Sequence, residues 1–178
     1  MESAENRLIP EDFRLRLQQY TERVRRDRRL SGNDVWTTTR QSRHCGSRLT
    51  LDGVIADGRI QALGYAVRAC SLGQATTAIV AERALGMKAE ELQAIQAQLK
   101  AVLQGQPSQQ KALIWPELAI FRYAAGMPSR HGSALLPFQA LQDLFELMKT
   151  FGDPALQERN NFVPAGELGW LRAEFGDI

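Results

Sequence analysis

The chain has 178 residues, of which 44% are hydrophobic and 24% are charged, enough for one domain with its own hydrophobic core. The formal net charge of +2 is too small to indicate a nucleic-acid partner, and no apolar run approaches the length of a membrane span. Two cysteines are too few for a disulfide framework, and residues 1–10 are polar, unlike a signal peptide. We therefore expect a cytoplasmic protein without a membrane partner.

The first third of the chain predicts one helix and then strands. Residues 11–29 carry apolar side chains at helical spacing. Residues 35–40 are rich in Thr and Trp, and residues 48–55 and 60–68 alternate between apolar and polar. Ala56-Asp57-Gly58-Arg59 is typical of a hairpin turn, so these segments predict a small antiparallel sheet.

Helical spacing dominates the rest of the chain. The predicted helices are residues 71–85, 88–103, 116–125 and 133–150. Pro137 is tolerated only in a first turn, which places the start of the last helix within a few residues of Ser133.

Strands followed by helices indicate an α+β fold, with a three-stranded antiparallel sheet and helices packed on one of its faces. We expect residues 1–153 to form this domain. Residues 154–178 are expected to form a tail with a short helix around 167–175.

Both cysteines lie where predicted elements meet. Cys45 is in the loop before a strand, and Cys70 is between a strand and the helix that begins near Ser71. The N-terminus of a helix stabilises a thiolate, which is both a nucleophile and a soft metal ligand. The two sulfurs could converge at one end of the sheet, although their spacing alone equally fits two half-buried thiols without chemistry.

Four segments in order resemble one protein family. Residues 45–51, CGSRLTL, are similar to a Cys-Gly-Asp motif that opens a strand, and residues 57–60 are similar to the hairpin turn that follows. Residues 69–76, ACSLGQAT, resemble a Gly-Cys-x-Ile-x-x-Ala-Ser motif, and residues 130–136 resemble the segment that bears a third cysteine. The family is the iron–sulfur cluster assembly scaffold of the IscU, SufU and NifU N-terminal type.

The resemblance implies a site and shows where the chain departs from it. In the family, three cysteines and an aspartate hold zinc or a nascent cluster, and a cysteine accepts sulfur from a cysteine desulfurase. Cys45 and Cys70 match the first two cysteines, whereas Ser47 stands at the aspartate position and Ser133 at the third cysteine. A hydroxyl is a poor ligand for iron or zinc beside thiolates.

Two histidines stand near the motifs and could complete the ligands. His44 precedes Cys45, but neighbours on an extended strand point apart, so His131 is the better third metal ligand with Cys45 and Cys70. Solvated loop histidines are the alternative. For Ser133 the alternative is a helix N-cap.

Arginines could supply positive charge to the site. Arg130 and Arg68 are candidates for this role, although either arginine could equally be a surface residue. Ser47, Ser133 and Arg130 are expected to line the bound group. The run of arginines from Arg23 to Arg29 is interrupted by acids and carries no interleaved aromatics, which argues against nucleic-acid binding.

The resemblance implies a scaffold or carrier and not a turnover enzyme. It would hold a transient iron–sulfur cluster, iron or zinc, and accept sulfur from a cysteine desulfurase, with Cys70 as the attacking thiolate. Apo iron–sulfur acceptor proteins would be the recipients. The alternative is a degenerate paralogue that acts as a metal-free interaction module. A third hypothesis is RNA or DNA binding through the first helix.

Overall fold

The chain folds into a three-stranded antiparallel sheet followed by helices, so the predicted α+β class is confirmed. Residues 11–43, 45–106 and 113–152 are described by the structure, which is a computed structural model. The predicted domain boundary at 153 and the tail with its short helix lie outside these residues. The elements are α1 Glu11–Arg23, β1 Trp36–Gln41, β2 Arg48–Ala56, β3 Arg59–Arg68, α2 Ser71–Arg83, α3 Ala89–Leu103, a 3-10 helix Pro116–Ala124 and α4 Pro128–Phe151.

The sheet has the order β1-β2-β3. Asp57 and Gly58 turn the chain between β2 and β3 with φ values of 53° and 67°, a left-handed pair that suits the twist of a two-residue hairpin. Leu51 pairs with Thr38 on one side and Tyr65 on the other. This register puts the start of β2 beside the end of β3, so the residues before β2 and after β3 lie at the same end of the sheet.

Helices cover one face of this sheet. The side chains of Leu49 and Leu51 are buried, and α4 packs on β1 and β2 while α2 packs on β3. Gly53 lies on the same face, directly under Leu144 of α4. Within the residues described, no helix combines the length and the apolar character needed to cross a membrane.

The last helix begins earlier than predicted. α4 starts at Pro128, so Pro137 is in its interior and Ser133 is a buried helical residue and not an N-cap. Pro128 is favourable in a first turn because its missing N–H would have no partner there. Pro137 removes the helical hydrogen bond to the carbonyl of Ser133, and its ring crowds that carbonyl. The buried apolar face of α4 outweighs that loss, which the sequence pattern alone did not indicate.

The first helix ends earlier than predicted, at Arg23 and not near residue 29. The chain instead runs along the edge of β3, where Arg28 and Tyr65 exchange backbone hydrogen bonds of 2.8 and 2.6 Å. Gly64 permits this approach, since a Cβ there would lie 2.6 Å from the Arg28 carbonyl oxygen. The backbone of the arginine run is therefore held on the sheet at Arg28, while the arginine side chains stay exposed.

A buried carboxylate draws this segment onto the sheet. The side chain of Asp52 is fully buried and accepts hydrogen bonds from Arg29 Nε (2.5 Å), Arg29 Nη2 (2.9 Å), the Leu30 N–H (2.9 Å) and the Thr37 hydroxyl (2.8 Å). A buried carboxylate is stable only when its charge and lone pairs are satisfied in this way. Arg29 thus has a structural role that its place in a run of arginines concealed.

Candidate thiol site at the sheet end

A tight loop places the first cysteine at the end of the sheet. The Ser42 N–H donates to the Ser47 carbonyl at 2.7 Å, and the Gly46 N–H donates to the Ser42 carbonyl at 3.1 Å. Gly46 has φ +66°, a left-handed conformation that glycine adopts without strain. The loop thus closes on itself and leaves Cys45 exposed to solvent.

Three serine hydroxyls meet at this thiol. Cys45 Sγ lies 3.3 Å from Ser42 Oγ and 3.1 Å from Ser47 Oγ, and Ser133 Oγ lies 3.0 Å from Ser47 Oγ. All three serines are buried, Ser47 to 3% exposure and Ser133 to 0%. We call Ser42, Ser47 and Ser133 the serine cluster. It joins the β1–β2 loop to α4.

The second cysteine reaches the same hydroxyl. Cys70 is the N-cap residue of α2, and its backbone N–H donates to Ser47 Oγ at 3.4 Å. Its thiol makes no capping hydrogen bond and is half-buried. Ser47 Oγ therefore accepts from Cys70 and Ser133, which leaves its own proton to donate toward a Cys45 thiolate. The structure thus brings together Cys45, Cys70 and the two serines, Ser47 and Ser133, that stand at the aspartate and third-cysteine positions of the motifs.

The serine cluster makes Cys45 acidic. Partial desolvation of the sulfur is the largest single influence and raises the pKa of Cys45, but the combined hydrogen bonds of Ser42, Ser47 and Ser133 more than reverse that effect. The pKa of Cys45 falls from 9.0 to about 7. A large fraction of the Cys45 side chains is therefore thiolate at neutral pH, which is the reactive form.

This acidity predicts a pH profile for alkylation. In the Cys70→Ser variant, where Cys45 is the remaining cysteine, the iodoacetamide reaction rate should rise with pH with a midpoint near 7. Adding Ser42→Ala removes one donor to the thiolate and should raise the midpoint by about half a pH unit or more. The measurement is the alkylation rate from pH 5 to 10, followed by intact mass.

Ser129→Ala is the matched control for this profile, because Ser129 is an exposed serine near the start of α4. It should leave the midpoint unchanged. A midpoint near the ordinary cysteine value in the parent, or equal midpoints with and without Ser42, would contradict the role of the hydroxyls.

The remaining predicted site residues make other contacts. His131 Nε2 lies 2.8 Å from the carbonyl oxygen of Ala124, and Arg130 is exposed. Arg68 pairs with Asp27 at 2.7 Å on the surface. Among the residues that the structure describes, no three His, Cys, Asp or Glu side chains are placed to hold a metal ion. The metal-ligand role of His131 stays a prediction, and His44 lies outside the described residues.

Sequence reasoning missed the residues that allow the serine cluster to form. Gly73 of α2 faces Ser133 so closely that a Cβ would lie 2.4 Å from Ser133 Oγ. Gly132 of α4 faces Ser42, where a Cβ would lie 3.3 Å from its Oγ. A glycine inside a helix costs about 1 kcal/mol relative to alanine, so each was a signal of close packing.

The chain is similar to solved structures, although no protein-family model and no curated protein sequence matches it. A NifU-like protein (N-terminal) from Brucella abortus is 26% identical, with a TM-score of 0.63, over 76% of this chain and 92% of that one.

Two further structures are more distant and support the fold alone. A protein assigned as an iron–sulfur cluster assembly scaffold for the SUF system from Fervidobacterium islandicum AW-1 is 17% identical, with a TM-score of 0.62, over 79% of this chain and 98% of that one. A hypothetical protein is 20% identical, with a TM-score of 0.60, over 75% of this chain and 98% of that one. With its four motifs in the same order on this fold, the chain resembles proteins of the IscU, SufU and NifU N-terminal type in both sequence and structure.

Proposed function

We propose that the chain is a scaffold or sulfur acceptor in iron–sulfur cluster biogenesis. It would receive sulfur from a cysteine desulfurase and hold it, with iron, zinc or a transient cluster, for apo acceptor proteins. The observation that carries the proposal is the meeting of Cys45 and Cys70 at Ser47, at one end of the sheet. The likeness to a NifU-like protein and to a protein assigned as an assembly scaffold supports it.

Cys45 is the better first sulfur acceptor of the two cysteines. Its thiol is exposed, so the persulfide of a donor protein can reach it, and the serine cluster stabilises its thiolate. Cys45 would attack the terminal sulfur of that persulfide, and the donor cysteine would leave as a thiolate. Cys70, which the motif and its place at a helix N-terminus suggested as the attacking residue, is half-buried and is better placed for a later step.

The side chains at the site suit a metal ion or cluster that is bound only transiently. Two thiolates are good ligands for iron or zinc, whereas Ser47 and Ser133 are neutral hydroxyls already bonded to each other. Cys45 and Cys70 would then supply two ligands and leave the other positions of a bound ion to sulfide, water or a partner protein. Ser47, Ser133 and Arg130 would line that group without ligating it, and His131 is the candidate third ligand.

A metal-free interaction module is the second candidate function. It is favoured by the pairing of Ser47 with Ser133, which satisfies both hydroxyls where the family carries a carboxylate and a thiolate. Such a protein would keep the surface that meets the desulfurase but would have no need of its thiols.

Sulfur and metal loading of cysteine variants test these functions. The parent chain, incubated anaerobically with a cysteine desulfurase and L-cysteine, should gain the mass of one sulfur atom on Cys45. After iron and sulfide are added, metal analysis should show iron in the parent and a loss of about tenfold or more in Cys45→Ala and Cys70→Ala. Ser129→Ala serves as the matched control and should load like the parent.

The scaffold proposal fails if Cys45→Ala and Cys70→Ala both bind as much iron as the parent, and if Cys45→Ala also gains as much sulfur as the parent. Capture of the desulfurase by the chain that survives both substitutions, without sulfur or metal loading of the parent, would establish the interaction module instead.

A further inference from the structure

We propose that Cys70 resolves a persulfide formed on Cys45, so that the chain itself converts bound sulfur into free hydrosulfide and closes a Cys45–Cys70 disulfide. The proposal deepens the proposed function and rests on it for the natural sulfur source. The site would take sulfur in the oxidation state of a persulfide and release it as sulfide.

The two cysteines meet at one hydroxyl. Ser47 Oγ lies 3.1 Å from Cys45 Sγ and 3.4 Å from the backbone nitrogen of Cys70. One hydroxyl therefore positions both cysteines, which come from a loop before β2 and from the start of α2. A disulfide requires that the two cysteines approach closely, with Cα atoms about 4.4–6.8 Å apart, and the shared contact with Ser47 brings Cys45 and Cys70 to one place at the sheet end.

The two thiols differ in their access to solvent. Cys45 is exposed and Cys70 is half-buried, so a sulfur donor in solution meets Cys45 first. The Cys70 side chain packs against the core and makes no hydrogen bond to the helix N-terminus that it caps, so turning toward Cys45 would break no capping hydrogen bond. An exposed acceptor beside a less exposed second thiol is the arrangement of an acceptor and a resolving cysteine.

No third thiol in the chain competes with these two. The chain has two cysteines, and Ser133 stands where the family has a third. Ser133 donates its hydrogen bond to Ser47 and is fully buried, so it can neither accept sulfur nor attack a persulfide. Within this chain, Cys70 is consequently the one thiol that can attack a persulfide on Cys45.

The reaction is balanced without an external reductant. The Cys70 thiolate attacks Cys45 Sγ, a bond forms between the two Sγ atoms, and the bond from Cys45 Sγ to the terminal sulfur breaks. The terminal sulfur leaves with the electron pair as hydrosulfide and is thereby reduced, while the two cysteines are oxidised to a disulfide. A cellular dithiol would then reduce the disulfide and return the chain to its starting state.

A pulse and chase of the reduced chain tests the proposal. The protein is exposed briefly to inorganic polysulfide, freed of the donor by gel filtration, and followed by intact mass and a sulfide assay. The parent should first gain one sulfur atom and then lose it together with two hydrogens, with one sulfide released per chain. Peptide mapping should show Cys45 linked to Cys70. In Cys70→Ser the added sulfur should persist at least about tenfold longer.

The outcomes separate this proposal from the proposed function. Persulfide that persists equally in the parent and in Cys70→Ser overturns it, as does a parent that never forms the disulfide. A Cys45→Ser protein that gains and holds sulfur as readily as Cys70→Ser also overturns it, because the roles would then be interchangeable. If polysulfide drives disulfide closure but a desulfurase delivers no sulfur, the resolving chemistry stands and the proposed function fails. Thermal melts confirm that each variant is folded.

Discussion

The Gly73→Ala variant is expected to lose about 1–3 kcal/mol of unfolding free energy and to disturb the thiol site at the same time. A Cβ at residue 73 would lie 2.4 Å from Ser133 Oγ, 2.9 Å from Ala69 Cβ and 3.0 Å from the Ser133 carbonyl oxygen. Ser133 is fully buried in α4, so it cannot move aside without shifting that helix. The gain in helix propensity, about 1 kcal/mol, offsets only part of this clash.

The functional consequence follows from the hydrogen bonds of Ser133. If Ser133 is pushed away, Ser47 loses its donor at 3.0 Å, and the support of the Cys45 thiolate weakens. Urea unfolding should show the loss of stability, and the pH midpoint of Cys45 alkylation should rise.

The matched control for Gly73→Ala is Gly126→Ala. A Cβ at Gly126 would meet nothing within 4 Å, so this variant should remain within about 0.5 kcal/mol of the parent. The double variant Gly73→Ala with Ser133→Ala removes the hydroxyl from the clash but leaves the carbonyl oxygen, and it should recover part of the stability. Equal stabilities for Gly73→Ala and Gly126→Ala would show that the contact between α2 and α4 is loose.

The Asp52→Asn variant is expected to lose about 2–4 kcal/mol of unfolding free energy at pH 7. Asp52 is fully buried, and an amide cannot accept all four of the hydrogen bonds that the carboxylate receives from Arg29, Leu30 and Thr37. Since the Arg29 side chain is 46% exposed, water compensates part of its charge, and the loss falls short of that for a fully buried pair. The segment that joins α1 to β1 should loosen first.

The pH dependence of this effect has a definite sign. Desolvation raises the pKa of Asp52, but the hydrogen bonds from Arg29, Thr37 and the Leu30 N–H together lower this pKa by more. The net shift of the pKa is therefore downward. A carboxyl group with a depressed pKa stabilises the fold above its unfolded pKa, about 3.9, and loses this contribution as the pH falls through its folded pKa. The stability difference between parent and Asp52→Asn should therefore be constant near neutrality and shrink in acid.

Urea unfolding of both proteins between pH 3 and 7 measures this difference, with Asp57→Asn as the matched control. Asp57 is exposed in the β2–β3 turn at φ +53°, a conformation that asparagine also adopts readily. That substitution should leave stability within about 0.5 kcal/mol of the parent. An Asp52→Asn protein as stable as Asp57→Asn would mean that Asp52 does not hold the arginine segment on the sheet.

Local patterns in the sequence determined the sheet and its ends. Alternation in residues 48–55 and 60–68, with Asp57 and Gly58 between them, is a short-range signal that needs no knowledge of the rest of the molecule. The positions of Cys45 and Cys70 at the junctions of predicted elements also indicated that the two could converge at one end of the sheet, with two half-buried thiols as the alternative.

Contacts between distant segments decided the rest. Ser133 and Ser47 are 86 residues apart, and Arg29 and Asp52 are 23 apart, so no local periodicity relates them. α4 begins at Pro128 because its packed face outweighs the hydrogen bond lost at Pro137, a balance set by burial and not by propensity. The sequence by itself thus determined which residues could react, whereas only the tertiary structure surrounded Cys45 with hydroxyls, since hydrogen bonds to a thiolate depend on positions in space.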